Sequence, residues 1–271
     1  MSIPRICIQP SISSGTPTPV LWSEIELAMK QPLIQDICDQ IKLLDGNDPD
    51  ELARLKRQLP VITPHACRFD NDGTRKSANA VPSGLVMLDI DHIDDPRDFF
   101  SRCIFPVLST ASTASELPTT GAAELQRSDP KIHFVAITPS GHGLRIIAER
   151  NPGESIPAAQ KRLAELFALS EFDAVTKDLA RASFLMPWSY VLYCEPSQLD
   201  FGTPEKEAVV TAHFAQLEAQ NNTITLSQEN KSQSPATTTA STAKRTTNYR
   251  RSRTTAKRSI LPRHTIRRHR P

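Results

Sequence analysis

The chain has 271 residues, 38% of them hydrophobic, and a formal net charge of +2. Its length allows one large domain or two small ones, and the modest hydrophobic content indicates that part of it stays outside a packed core. The charge is unevenly divided, because residues 244–271 hold 11 Lys and Arg and no Asp or Glu, which leaves a net charge of −9 elsewhere. We expect an acidic folded part followed by a basic tail.

The cysteines and the apolar segments indicate the compartment. The five cysteines are far apart and form no CxxC pair, which argues against a disulfide framework and a zinc ribbon. No stretch approaches the ~20 apolar residues of a membrane span, and the first residues lack the apolar core of a signal peptide. We predict a reduced, cytoplasmic protein with no membrane partner.

The first third of the chain carries helix signals. Residues 1–20, rich in Ser, Thr and Pro, are interpreted as an N-terminal arm. Ser23–Glu26 has capping-box form and predicts a helix toward Leu44, interrupted at Pro32. Asp48-Pro49 predicts another helix start, with a cap followed by proline at the first helical position.

The sequence from residue 60 onward predicts a mixture of strands and helices. The further predicted elements are, in chain order, an extended segment at 60–68, a turn at 70–73, a strand at 85–91, a helix opening at 95–96, a loop insertion at 108–130, a hairpin of strands 132–137 and 144–148, a helix at 156–169, one or two strands within 182–193, a terminal helix at 206–226 and a disordered, basic tail at 227–271. This pattern favours an α+β domain over residues 21–205, with a mostly antiparallel sheet flanked by helices.

Two carboxylates follow the apolar run of residues 85–88. Alternate side chains of a strand share a face, so Asp89 and Asp91 project together. Protonation or a cation relieves their mutual repulsion, and such oxygen-rich sites suit Mg²⁺ or Mn²⁺. The alternative is a solvated turn after a buried strand.

A glycine-rich turn with polar and basic side chains spans residues 138–145. Two glycines allow close backbone approach to an anion, Ser140 and His142 offer hydrogen bonds, and Arg145 offers a fork for phosphate. The alternative is an ordinary glycine hairpin.

A third polar group lies in residues 172–185. Asp173 follows an apolar residue after a helix, and Arg181 precedes an apolar strand, where it needs a carboxylate or phosphate partner. The alternative is an ion pair of Arg181 with Asp173 or Asp178. Together, the three groups are the parts that nucleotidyl transfer needs: carboxylates for metals and cationic donors for phosphates.

The series LDID, SGHGLR and FDAVTKDLARASFL resembles the primase-like domain known as VirE N-terminal, found in proteins of bacterial mobile elements and phages. That family belongs to the archaeo-eukaryotic primase superfamily, and the resemblance covers roughly residues 20–200. It implies a primase-polymerase-like catalytic core that acts as a metal-dependent nucleotidyltransferase in DNA replication. The implied partners are a single-stranded DNA template and nucleoside triphosphates.

The resemblance also implies site residues. Asp89, Asp91 and Asp173 would be catalytic residues and ligands of Mg²⁺ or Mn²⁺. The residues that would bind the nucleotide are Ser140, His142 and Arg145. Arg181 matches an arginine of the family, and we infer that it is a nucleotide-binding residue or a template contact. Asp178 also falls on an acidic position of the family, either structural or a further ligand.

The chain departs from the family in two places. Relatives tend to read Ser-Tyr-Asp where this chain has Pro187-Trp188-Ser189, and no P-loop motif occurs, so a helicase would be a separate partner. The basic tail predicts sequence-independent contact with phosphates. Its predicted nucleic-acid-binding residues are Lys244, Arg245, Arg250, Arg251, Arg253, Lys257 and Arg258.

Other functions are compatible with the same residues. A catalytically inactive, DNA-binding accessory domain of a mobile-element protein would keep the fold and lose the chemistry. A nuclease would use the same carboxylates. A phosphatase of the haloacid-dehalogenase type fits poorly, because Ile93 stands where that class has Thr or Val.

Overall fold

A computed structural model describes the protein over residues 2–13, 15–44, 48–114, 131–169 and 178–232. For residues 110–114 and 221–232 it describes the backbone alone. The chain divides into two units, residues 1–229 and 230–271, and residues 230–232 are the described part of the second. Within the described ranges, no helix is both long and apolar enough to cross a membrane.

The described chain is a mixture of α-helices and antiparallel β-sheets, which confirms the predicted α+β class. The strands are β1 (Ile3–Pro4), β2 (Ile6–Gln9), β3 (Thr18–Val20), β4 (Val61–Thr63), β5 (Ala66–Phe69), β6 (Ala80–Pro82), β7 (Leu85–Ile90), β8 (Ile132–Ile137), β9 (Leu144–Glu149), β10 (Ser183–Phe184), β11 (Val191–Cys194) and β12 (Asp200–Phe201). The helices are α1 (Trp22–Met29), α2 (Pro32–Leu44), α3 (Pro49–Lys56), α4 (Pro96–Phe99), α5 (Phe105–Ala114), α6 (Ile156–Leu166) and α7 (Pro204–Ser232).

Two four-stranded antiparallel sheets organise the fold. The central sheet has the order β11-β8-β9-β7, and the second sheet has the order β10-β4-β2-β3. Two further pairs, β1 with β12 and β5 with β6, complete the strand pairing. All six residues of β8 are buried, five of them apolar and one, His133, hydrogen-bonded to Glu149.

Strand β7 lies at an edge of the central sheet, and side chains satisfy its outer hydrogen-bonding groups. The Met87 N–H donates to His65 Nε2 (2.9 Å), and the Met87 carbonyl accepts from Gln160 Nε2 (3.0 Å). The Leu85 N–H donates to Ser83 Oγ (3.0 Å). Buried backbone groups need such partners, so β7 is fixed from both sides.

Local capping signals set most helix starts. Asp48 accepts a hydrogen bond from the Glu51 N–H (3.0 Å), and Asp95 accepts from the N–H groups of Arg97 and Asp98, as expected for N-caps followed by proline. The break at Pro32 is confirmed, since α2 begins there.

The first helix begins two residues earlier than the capping-box pattern predicts. Leu21 is its N-cap, and Glu24 accepts a hydrogen bond from the Leu21 N–H (2.9 Å), so Ser23 lies inside the first turn. The buried Trp22 ring lies edge-on to Phe134 of β8 (5.1 Å between ring centroids), and this packing draws the first turn onto the sheet.

Two predicted non-core segments contain regular structure. Residues 1–20, predicted as an arm, instead supply β1, β2 and β3, and β2 lies inside the second sheet. Residues 108–114 of the predicted loop insertion belong to α5, and residues 115–130 lie outside the described ranges. The predicted terminal helix at 206–226 lies within α7, which also includes residues 227–232 of the predicted disordered tail. The tail from residue 233 is outside the described ranges.

Arg5, between β1 and β2, is fully buried and bonds to three distant parts of the chain. Arg5 donates to the carbonyls of Ser83 (2.8 Å) and Gln198 (3.0 Å) and forms a salt bridge with Glu149 (2.9 Å). Burial raises the pKa of Glu149, but hydrogen bonds from His133 and Arg5 outweigh it and hold that pKa at about 2. Glu149 is therefore ionised, and the charge of Arg5 is compensated.

Candidate functional site

The centre of the candidate site is a salt bridge between neighbouring strands. Asp89 of β7 stands opposite Arg145 of β9, with Nε–Oδ1 at 2.9 Å and Nη2–Oδ2 at 3.1 Å. Arg145 also donates from Nη1 to the Phe184 carbonyl (2.6 Å), and Ser183 Oγ lies 3.5 Å from Asp89 Oδ2. The acidic strand end, the glycine-rich segment 138–145 and the end of the segment 172–185 thus meet in one hydrogen-bonded group.

The salt bridge between Asp89 and Arg145 is bidentate, and both side chains are mostly buried. The side chain of Arg145 is 4% exposed and that of Asp89 is 15% exposed. Paired N–H donors on both carboxylate oxygens form one of the stronger charged contacts in proteins. Asp89 therefore faces Arg145, and its oxygens already have a cationic partner.

Asp91 lies just beyond the end of β7 and is exposed. A Cβ on Gly143 would lie 3.3 Å from Asp91 Oδ1 and only 2.6 Å from the Ile90 carbonyl oxygen. The glycine turn consequently packs on the strand end that presents Asp91, and this close approach explains the glycine.

The predicted turn is present and internally hydrogen-bonded. The Gly141 N–H donates to the Thr138 carbonyl (2.9 Å), and the Thr138 N–H donates to the Gly143 carbonyl (2.9 Å). His142 is exposed, and its carbonyl accepts from the Ile93 N–H (2.9 Å). Ser140 Oγ lies 3.3 Å from Thr138 Oγ1. The structure therefore brings Ser140 and His142 to the same end of the sheet as Asp91.

The third motif is described from Asp178 onward, and Asp173 lies outside the described residues. The Asp178 carboxylate accepts from the hydroxyl of Ser77 and from the Ala180 N–H (2.9 Å). Its carbonyl accepts from the Arg181 N–H (3.1 Å). Asp178 thus shapes the turn that leads into β10, which favours the structural role for this residue.

His65 is a residue that sequence reasoning missed. It is fully buried, accepts from the Met87 N–H at Nε2, and so carries its proton at Nδ1, which lies 3.0 Å from the Asp178 carbonyl. Burial lowers the pKa of His65 to about 4, so the ring is neutral near pH 7. A single histidine in a Pro-His-Ala segment gave no signal of this link between β7 and the Asp178 turn.

Lys42 of α2 is a second residue that was missed. A Cβ on Gly141 would meet Lys42 Cε at 2.5 Å, and Lys42 Nζ lies 4.4 Å from the centroid of the Tyr190 ring. The side chain therefore covers the glycine turn. A lysine in the last turn of an amphipathic helix is common, because it favours the helix dipole, so the sequence did not single it out.

Asp89 and Asp91 are the described carboxylates that were predicted to hold a metal ion. Carboxylate oxygens are suitable donors for Mg²⁺ or Mn²⁺, and Asp91 is exposed. Asp89 is occupied by Arg145, and no group of three or more His, Cys, Asp or Glu within the described ranges could hold a metal ion. Asp89 could join Asp91 around a cation only if Arg145 released it.

The predicted DNA-binding residues of the tail lie outside the described ranges. They are Lys244, Arg245, Arg250, Arg251, Arg253, Lys257 and Arg258. Comparisons with protein-family models, with curated proteins and with solved structures found no match to this chain. The functional interpretation therefore rests on the sequence motifs and on the contacts around Asp89 and the glycine turn.

Proposed function

We propose that the protein is a metal-dependent nucleotidyltransferase of the primase-polymerase type, with a primase-like core, that acts in replication of a mobile element or phage. The observation that carries the proposal is the convergence of Asp89, Arg145 and the strand at 183–184, with the glycine turn and the exposed Asp91 at one end of the β7–β9 pair. Anion-binding and cation-binding groups are thus held side by side on hydrogen-bonded strands.

The carboxylates would hold the cation in this proposal. Asp89 and Asp91, together with Asp173, would ligate Mg²⁺ or Mn²⁺. The bound cation would lower the pKa of the attacking hydroxyl of the primer or initiating nucleotide and neutralise the leaving pyrophosphate.

The phosphate contacts would come from the turn and the arginines. Ser140 and His142 lie on the glycine turn, where backbone N–H groups and side chains would cradle the triphosphate of the incoming nucleotide. Arg145 and Arg181 would supply guanidinium groups.

Arg145 would change partners during nucleotide binding. Without nucleotide it neutralises Asp89. A triphosphate carries more negative charge than one carboxylate and accepts the same bidentate fork, so it would compete for Arg145 and release Asp89 to the cation. Nucleotide and metal would then bind cooperatively.

Nucleotide incorporation on single-stranded DNA with Mn²⁺ or Mg²⁺ tests this function. We expect product from the wild type and none from Asp89→Asn or Asp91→Asn, while Asp94→Asn, which alters another exposed carboxylate of the same loop, keeps activity. Full activity in both site variants would contradict the assignment. Shortening of the DNA instead of extension would identify the nuclease alternative.

One observation favours a second candidate, the catalytically inactive, DNA-binding accessory domain. The Asp89–Arg145 pair is already neutral, so the site is stable without a cation. Titration with Mn²⁺ in the presence and absence of a nucleoside triphosphate separates the two candidates. Binding of Mn²⁺ that strengthens with nucleotide and is lost in Asp91→Asn supports the enzyme, and absence of binding, with DNA binding retained, supports the accessory domain.

A further inference from the structure

A short 3₁₀ helix, Trp188–Tyr190, is contacted by a basic side chain at each of its three positions. Lys30 Nζ lies 5.0 Å from the centroid of the Trp188 ring. Arg97 Nη2 donates to the Ser189 carbonyl (2.9 Å). At the third position, Lys42 Nζ lies over the Tyr190 ring. We call these six residues the basic-aromatic surface.

The three cations come from separate parts of the chain. Lys30 follows α1, Lys42 lies in the last turn of α2, and Arg97 lies in α4. Within the described ranges, neither Lys42 nor Arg97 forms a salt bridge, whereas Lys30 shares its charge with Glu26. Their convergence is unusual in a chain that has a net charge of −9 outside residues 244–271.

Acidic side chains also lie near these cations: Glu26 pairs with Lys30, Asp39 precedes Lys42 by one turn, and Asp98 is adjacent to Arg97. Asp39, one turn before Lys42, accepts a hydrogen bond from Gln35 Nε2 (2.9 Å), and Gln35 Oε1 accepts from the Ser189 hydroxyl (2.6 Å). Burial raises the pKa of Tyr190, although Lys42 acts to lower it, so the phenol is neutral and its ring serves as an apolar support.

The basic-aromatic surface is continuous with the candidate site. Lys42 covers Gly141 of the glycine turn and also contacts Tyr190, so one side chain belongs to both. Trp188 is half-buried and therefore leaves part of its indole accessible. Accessible aromatic rings beside lysine and arginine are the features by which proteins bind single strands, stacking bases and contacting phosphates.

We propose that this surface binds single-stranded nucleic acid, with a base stacked on Trp188 and phosphates contacted by Lys42 and Arg97. Lys30, which lies over the indole, would move toward a phosphate when the base stacks. The inference rests on the proposed function, because it gives the template strand of that reaction its path toward the glycine turn. Binding itself needs neither metal nor nucleotide, so it can be tested separately.

Tryptophan fluorescence of the full-length protein tests the proposal. The chain has two tryptophans, and Trp22 is only 1% exposed, so quenching by an oligo(dT) strand reports on Trp188. We expect oligo(dT) to quench the wild type and to leave Trp188→Phe unquenched. We further expect Trp188→Ala to lower the affinity at least about fivefold, the lower end of the effect of losing one stacked base.

Charge variants test the phosphate contacts. Lys42→Met and Arg97→Met should each flatten the slope of log affinity against log salt by about 0.7, the value for one phosphate of a single strand. Lys161→Met, which removes an exposed lysine of α6, is the matched control and should leave the slope unchanged. A duplex of equal length should quench less, because its bases are already stacked.

Three results would overturn the proposal: binding of oligo(dT) without quenching, equal quenching in Trp188→Phe, or unchanged salt slopes in both charge variants. A cooperative unfolding transition above the temperature of the binding assay would show that each variant is folded. Asp89→Asn should retain the quenching. Quenching without nucleotide incorporation would therefore support strand binding at the surface and contradict the proposed enzyme. Incorporation without quenching would support the enzyme and contradict strand binding at this surface.

Discussion

Asp89 and Arg145 are both largely buried, so the charge of each needs the other to compensate it. Removing one partner of such a pair leaves the other charge without compensation, which costs more than the pair itself contributes. The pair is therefore a structural element of the fold as well as a candidate part of the site. A double-mutant cycle separates these contributions.

We expect Arg145→Met to lower the free energy of unfolding by about 3 kcal/mol. It leaves Asp89 unpaired and removes the donor to the Phe184 carbonyl. The double variant Asp89→Asn/Arg145→Met should be more stable than Arg145→Met alone, as measured by urea unfolding. Arg54→Met, which breaks the exposed pair with Glu51, should cost much less, because water screens this pair. A cost for Arg145→Met no larger than this control would contradict the structural role.

The folded variants also report on nucleotide binding. If Arg145 moves to the triphosphate, Arg145→Lys should weaken its binding by about 1.5–3 kcal/mol, the scale of a charged hydrogen bond, because lysine keeps the charge and loses the fork. Equilibrium titration with a nucleoside triphosphate measures this. Unchanged affinity would exclude Arg145 as a phosphate contact.

His65 makes the protein sensitive to acid. Its pKa is lowered from 6.5 to about 4, so between these values the unfolded chain binds a proton that the folded protein does not bind. Stability should therefore fall by up to about 3 kcal/mol as the pH drops through this window, at 1.36 kcal/mol per unit of pKa.

His65→Gln isolates this contribution. A glutamine can accept from the Met87 N–H and donate to the Asp178 carbonyl, but it does not titrate. Urea unfolding at pH 7 and pH 4.5 should show a smaller pH effect in the variant than in the wild type. An equal pH effect in the two proteins would assign the acid sensitivity to other groups.

At the scale of elements, the approach of the glycine turn to β7 has a measurable cost. A Cβ on Gly143 would lie 2.6 Å from the backbone oxygen of Ile90 and 2.9 Å from Thr138 Oγ1. Gly143→Ala should therefore destabilise the protein by about 1–3 kcal/mol, as overpacking does. Gly202→Ala meets no atom within 4 Å and is the control, with an expected change within about 0.5 kcal/mol. Thermal unfolding of the two variants compares them, and equal stability would contradict the close packing.

Elements with local signals were predicted well from the sequence. Asp48-Pro49 and Asp95-Pro96 fix helix starts through caps and proline geometry, and the hairpin of β8 and β9 needs only a short turn between apolar runs. The placement of β7 beside β9 could not be predicted, because the register of strands distant in the chain has no local signature. The salt bridge of Asp89 with Arg145 depends on that register.

The strands in residues 1–20 were missed for the same reason. Their Ser, Thr and Pro content is typical of an arm, yet Cys7 pairs with Thr63 and Ile6 is 1% exposed. One of the two partners of β2 is β4, which comes much later in the chain, as does β12, the partner of β1. His65 and Lys42 were missed for a similar reason. Their contacts are with residues distant in sequence: Met87 and Asp178 for His65, and Gly141 for Lys42.

The whole molecule combines an acidic folded part with the basic segment 244–271, which carries 11 Lys and Arg. Deleting this segment should weaken DNA binding and flatten its salt dependence, because fewer phosphate counterions are released. Oligo(dT) binding measured across a salt series checks this, and the quenching of Trp188 at low salt should persist. An unaltered salt slope would show that the tail does not touch phosphate.

The pairing of β1 with β12 has a consequence for biosynthesis. Ile3 pairs with Phe201, and Arg5 reaches the Gln198 carbonyl, so the first strand finds its partner only when residues near 200 have left the ribosome. We expect nascent chains halted before Cys194 to be digested readily by protease and to engage chaperones, whereas chains whose residue 215 has left the ribosome should resist. Contacts this distant in sequence slow folding, so the pace of translation through the last strands should influence the yield of native protein.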